Sequence, residues 1–226
     1  MLGQAIGDLL AFALGVAISP IPIIAIILML LSARAAANST AFLAGWVAGV
    51  AGTSVVLLAL SGLIGTTSSG APSTTASVVK LVLGVLLVGL SVRNLQKRPG
   101  ADAVAELPKW LQSIESITPV KAVGLGVLLS AVNPKNLLMI AGAMVSLSQY
   151  HLSVGEDTIA VVVFVLIAIS TVAAPVIIYR TAGEKAQHIL DAMRGWLGQN
   201  NAVVMAVLLL VIGVVLLGKG ISGLSA

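Results

Sequence analysis

From Leu9 to Ala33 the chain runs 25 residues without a charged side chain. That exceeds the roughly 20 apolar residues a helix needs to cross the hydrocarbon of a bilayer. A transmembrane β-strand is about 10 residues of alternating polarity and does not fit the run. Only helices and closed barrels satisfy their backbone groups inside hydrocarbon, so the run predicts an all-α integral membrane protein. The remaining composition agrees, because 58% of the 226 residues are hydrophobic and only 9% are charged, against about 25% charged in soluble domains. A water-soluble single domain is excluded.

Six spans are predicted: about Ala5 to Leu31, Ala41 to Ile64, Ala76 to Leu95, Val120 to Leu147, Thr158 to Tyr179 and Ala202 to Ile221. Met1-Leu2-Gly3-Gln4 lacks the basic stretch of a cleaved signal peptide, so the first span is expected to remain. The polar stretch Thr66 to Thr75 reads as an exposed loop. Between the third and fourth spans, Leu107, Trp110, Leu111, Ile114 and Ile117 form a helical stripe, with Pro108 early in the helix, and predict a short helix lying on the membrane surface. Ala186, Ile189, Leu190, Met193 and Leu197 form a second amphipathic stripe before the sixth span.

The charges set an orientation. Connectors after spans 1, 3 and 5 hold nine basic residues: Arg34; Arg93, Lys97, Arg98, Lys109 and Lys121; Arg180, Lys185 and Arg194. Lys80 and Lys219 alone fall on the other side, so both termini are expected to be extracytoplasmic. The net charge of +4 then reflects topology and attraction to membrane lipid headgroups, and no motif predicts nucleic-acid binding. The chain has no cysteine, which removes disulfides, thiolate metal sites and dithiol relays.

The two halves share a pattern. Gly15-Val16-Ala17-Ile18-Ser19 in span 1 matches Gly126-Val127-Leu128-Leu129-Ser130 in span 4, each followed shortly by proline, and Gly84 to Gly89 in span 3 matches Gly213 to Gly218 in span 6. Three spans per half is an odd number, so the halves are predicted to form a 3+3 inverted repeat. Repeat 1 covers about 1–95, a connector about 96–119, and repeat 2 about 120–226, together one transmembrane domain. Secondary transporters with this arrangement place interrupted helices at the midplane. Ser19-Pro20-Ile21-Pro22 and Asn133-Pro134-Lys135-Asn136 are the candidate interruptions, in spans 1 and 4.

Lys135 is the most informative residue. It lies 14 residues from Lys121 and 21 from Glu156, which places it near the bilayer centre. A lysine there costs about 2.5–3.5 kcal/mol unless it meets a partner or a wet cavity. Asn133 suits an N-cap and Pro134 a first helical position, so a half-helix is expected to begin beside the lysine. A cation at a helix N-terminus is disfavoured. Either an anionic substrate group sits between Lys135 and the helix ends, or the ammonium gives up its proton during a working cycle. The plainer alternative is a proline kink with Lys135 hydrogen-bonded to carbonyls as structural glue. The candidate substrate-binding set is Lys135, Asn133, Asn136, Pro134, Ser19, Pro20, Pro22 and Ser130. Gly45-x-x-x-Gly49 reads as helix packing. His151 and His188 lie in connectors and predict neither metal nor acid-base chemistry, and Asp8 near the outer end of span 1 reads as a solvated residue or a gate.

With its proline-broken first span, Pro108-Lys109-Trp110, Pro119 and the specific Asn133-Pro134-Lys135-Asn136 segment, the chain resembles the GAP family. This is the family of glycopeptidolipid- and sulfolipid-addressing proteins of actinobacteria, placed within the LysE exporter superfamily. The segment from Ser19 to Pro22 is a looser match to the Pro-Gly-Pro run of amino-acid exporters, because Ile21 stands in place of the glycine. The resemblance implies a six-span protein of the bacterial plasma membrane that helps move cell-surface lipids or small solutes outward, and it admits a homodimer.

Two functions are therefore expected. One is a secondary exporter moving an anionic or zwitterionic solute or lipid headgroup through a site around Lys135. The other is an accessory lipid-addressing protein that works with another transport machine. No enzyme activity and no cofactor are expected, since no His, Asp or Cys is predicted inside a span to activate a nucleophile.

Overall fold

The computed structural model describes residues 1–64, 74–96, 111, 114, 117–183 and 185–225. Among these there is no strand. The helices are α1 (Leu2–Ala17), α2 (Pro20–Leu30), α3 (Ala35–Ile64), α4 (Thr74–Gln96), α5 (Pro119–Val127), α6 (Pro134–Ser148), α7 (Val154–Thr181) and α8 (Lys185–Leu224), and a π-helical stretch, Leu128–Val132, follows α5. Four of them, α3, α4, α7 and α8, are long and apolar enough to cross a membrane. Two bent pairs pass the same test when each is taken as one span: α1 with α2, at 53°, and α5 through the π stretch with α6, at 58°. The protein is an all-helical, multi-pass membrane protein with four to six spans.

Its outside and inside follow from the solvent. Large apolar side chains such as Val55, Leu86, Leu166 and Val214 stand exposed on the bundle surface, which is where hydrocarbon would solvate them. Lipid tails are as apolar as leucine, so helices associate by close packing, and small residues permit it. A Cβ on Gly45 would lie 2.1 Å from the Val123 carbonyl oxygen, and one on Gly126 would lie 2.3 Å from that of Phe42. Gly49 is similarly closed by Ser130. The Gly45-x-x-x-Gly49 stripe of α3 thus meets Gly126 of α5 backbone to backbone. Antiparallel α4 and α8 approach in the same way: Gly84 faces Gly213, and the Ser91 hydroxyl donates to the Ala206 carbonyl at 2.7 Å.

Trp46 does not sit at an interface. It is fully buried and stacks on Phe42 with ring centroids 6.4 Å apart. The amphipathic stripe from Ala186 to Leu197 is not a separate surface helix either. It is the first part of α8, which continues for 40 residues, because no proline interrupts it and Ala186, Leu190 and Leu197 find buried positions. Of the stripe in the long connector, Leu107 and Trp110 lie outside the described residues, whereas Leu111 and Ile114 are buried in the core and Ile117 packs against it.

Opposite ends of the bundle carry different polar contacts. At one end Asn38 Nδ2 donates to the Ile117 carbonyl at 2.9 Å, and Arg180 Nη2 donates to Thr40 Oγ1 at 3.3 Å. At the other end Asp8, Tyr150 and Lys219 meet.

Candidate functional site

The site grows from what two prolines take away. In a continuous helix the N–H of residue 20 would bond to the carbonyl of Val16, and that of residue 22 to the carbonyl of Ile18; Pro20 and Pro22 have no N–H to give. Helix α1 ends at Ala17, and α2 starts at Pro20 with Ser19 extended at its N-cap. The freed carbonyls find side-chain donors instead. Ser19 Oγ donates to Val16 O at 2.7 Å, Thr171 Oγ1 on α7 donates to Ala17 O, and Lys135 Nζ donates to Ile18 O at 3.0 Å.

The second bend is built from Asn133 and Pro134. Asn133 is extended, and its side-chain oxygen accepts the backbone N–H of Lys135 at 3.0 Å, capping α6, with Pro134 at the first turn. Upstream, the π stretch leaves the Leu129 carbonyl to Asn136 Nδ2 at 3.1 Å. Such stretches concentrate at functional sites. The N-termini of α2 and α6 therefore converge on Lys135.

Lys135 is 7% exposed, and Nζ also donates to Ser19 Oγ at 2.7 Å. An ammonium carries three N–H donors. Two are held by Ile18 and Ser19, and no carboxylate pairs with the charge among the described residues. The third is left for the cavity the side chain lines. This cavity measures about 230 Å³ and is bounded by the bend residues, by Leu90 and Asn94 on α4, and by Asn201, Met205 and Leu209 on α8. Asn201 brings a buried Oδ1 with no partner among the described residues. A lysine, three amides and helix N-termini around a small space suit an anionic group with its own hydrogen-bond donors.

Six of the eight sequence-derived site residues, Ser19, Pro20, Pro22, Asn133, Pro134 and Lys135, line this cavity. Asn136 lies behind it, fully buried, with Oδ1 3.2 Å from Ser19 Oγ. Ser130 is placed elsewhere: its hydroxyl turns back to the Gly126 and Val127 carbonyls, at 2.8 and 3.0 Å, against Gly49. Asn94 and Asn201 were missed by the sequence reading. The structure shows why they meet: antiparallel packing of Gly84 on Gly213 brings these two asparagines to one level.

An apolar slot of about 520 Å³ lies on the other side of the α1–α2 bend, lined by Ile18 and Ile23, by Thr171 and Ala174 of α7, and by Ala192, Met193, Trp196 and Leu197 of α8. Its one polar side chain, Thr171, is committed to Ala17. Leu197 of the slot and Asn201 of the cavity are four residues apart on α8, about one helical turn. The Lys135 cavity and the apolar slot thus follow one another along the α2–α8 seam.

Fold and site together define a multi-pass membrane protein with a buried lysine at the meeting point of bent helices. A family model described as Sap, sulfolipid-1-addressing protein, matches residues 9–222, nearly the whole chain, and the chain belongs to that family. No curated protein and no solved structure matches it. Among the described residues, no group of three or more His, Asp or Glu side chains could hold a metal ion.

Proposed function

We propose that the protein takes the anionic headgroup of a lipid at Lys135, lays the lipid's tail along the apolar slot, and moves the headgroup outward across the bacterial plasma membrane. The observation that carries this reading is a buried lysine, Lys135, without a carboxylate partner among the described residues, in the wall of a small cavity one helical turn from an apolar slot. The family description supports a lipid substrate, and a sulfate ester is a suitable headgroup because it is anionic over the physiological pH range.

On this reading the two bent pairs are membrane spans broken near the midplane, and the halves form the 3+3 inverted repeat, rocking about Lys135 as in a LysE-type exporter. The excess of Arg and Lys on one side supports both termini lying outside. The cavity, below the roughly 300 Å³ of drug-sized sites, would take the head while the tails stay in the slot and the surrounding bilayer.

A second reading, an accessory protein that presents the lipid to another machine, is favoured by the family description and by that same small cavity. Vesicles separate the two. Purified protein is reconstituted, and the transbilayer movement of a labelled anionic lipid is compared with that of a zwitterionic lipid carrying the same tails. Faster movement of the anionic lipid than in protein-free vesicles is expected. Headgroup binding without movement selects the accessory reading, and neither binding nor movement rejects both.

A further inference from the structure

The end of the bundle that carries the N-terminus of α1 has a charge cluster separate from the Lys135 cavity. Lys219 Nζ lies 2.7 Å from Asp8 Oδ2, and Tyr150 Oη donates to the same oxygen at 2.9 Å. Burial, together with the hydrogen bond and charge of Asp8, pushes the Tyr150 hydroxyl up to about 12, so it stays a donor to Asp8 under physiological conditions. Lys80, half-buried on α4, forms no ion pair of its own among the described residues. Its place is fixed by the next residue, Leu81, which packs against Gly220 of α8.

The contact of Leu81 with Gly220 sets Lys80 and Lys219 on facing turns of α4 and α8, while Asp8 Oδ2 already serves two donors, Lys219 and Tyr150. Bringing like charges together without full compensation is unfavourable, and a site lined by an excess of one sign concentrates counter-ions. The sequence puts just two lysines toward this end, Lys80 and Lys219, and the packing of Leu81 on Gly220 brings their helices together there, beside the Lys219–Asp8 pair. Asp8 and Lys219 keep side-chain exposures of 37% and 30%, so the cluster is open to small ions.

We propose that Lys80 and Lys219 form a second binding station, for an oxyanion such as a sulfate, phosphate or carboxylate group, with Asp8 as a resident counter-ion tethered by Tyr150. An arriving oxyanion bridges the two ammonium groups, while Asp8 keeps its bond to Tyr150. The station stands on its own charges and does not depend on Lys135.

The test is site-resolved lysine acetylation, read by mass spectrometry, on the full chain in nanodiscs of zwitterionic lipid. Inorganic sulfate is compared with chloride at equal ionic strength. With sulfate at about twice its Kd, labelling of Lys80 and Lys219 should slow about threefold, while Lys185, which is remote from this cluster, is unchanged. Asp8→Asn, which removes the competing carboxylate, should give the same protection at lower sulfate. Lys219→Gln should abolish protection of Lys80. Lys135→Met should leave it intact, which separates this station from the headgroup site. A second arm replaces sulfate with anionic lipid in the nanodisc; protection there identifies a headgroup as the source, and protection by sulfate alone identifies a free anion. Equal labelling in sulfate, chloride and anionic lipid overturns the proposal, as does sulfate protection that persists at Lys80 in Lys219→Gln.

Discussion

Lys135→Met is expected to weaken binding of an anionic headgroup by about 10- to 100-fold while leaving the fold intact. A hydrogen bond to a charged group contributes about 1.5–3 kcal/mol, which sets that range. Stability responds differently because two effects oppose each other. Methionine removes a buried ammonium whose insertion costs about 2.5–3.5 kcal/mol. It also removes the charged donor to Ile18 O and Ser19 Oγ, bonds of about 1.5–3 kcal/mol each, and leaves the Ile18 carbonyl unpaired. The terms offset in part, and a net loss of about 0–3 kcal/mol is expected. Headgroup binding measured by native mass spectrometry, alongside thermal unfolding in detergent, reads both. A structural-glue lysine gives unfolding at lower temperature with unchanged binding.

The largest loss of stability is expected from Gly126→Leu. A Cβ at this position would meet the Phe42 carbonyl oxygen at 2.3 Å and the Trp46 backbone nitrogen at 2.7 Å. These are backbone atoms of α3, so no rotamer change relieves the contact and the helices must separate. Overpacking typically costs 1–3 kcal/mol and sometimes more, and here about 3 kcal/mol or more is expected. Gly124→Leu is the internal control, since nothing lies within 4 Å of its Cβ position. Leucine is also the better helix former by about 1 kcal/mol, so this variant should unfold at or above the temperature of the parent. Similar losses in both variants would contradict a close α3–α5 crossing.

The parts of the fold that depend on hydrophobicity and backbone chemistry were legible in the sequence. The apolar runs located the long helices to within a few residues at most ends, and the two bent helix pairs meet where Pro20, Pro22 and Pro134 stand. The cap at Asn133 follows equally from local chemistry. What the sequence did not disclose was long-range. Nothing near Lys135 in the chain names Ile18 as its acceptor, 117 residues away, and nothing near Asn94 names Asn201. Ser130 does not line the cavity, because a serine in a helix can bond back to its own preceding carbonyls, as this one does to Gly126. The continuation of α8 through the stripe before span 6 was hidden for another reason: amphipathic periodicity looks the same for a helix on a membrane surface and for one packed on neighbouring helices.

The most direct test of the headgroup site is a density map of the protein bound to a short-chain alkyl sulfate. The account predicts the sulfate within hydrogen-bond distance, about 3 Å, of Lys135 Nζ, and the alkyl chain in the slot beside Met193 and Trp196. A map with Lys135 bonded only to Ile18 and Ser19, and the detergent-like molecule seated elsewhere, would contradict it.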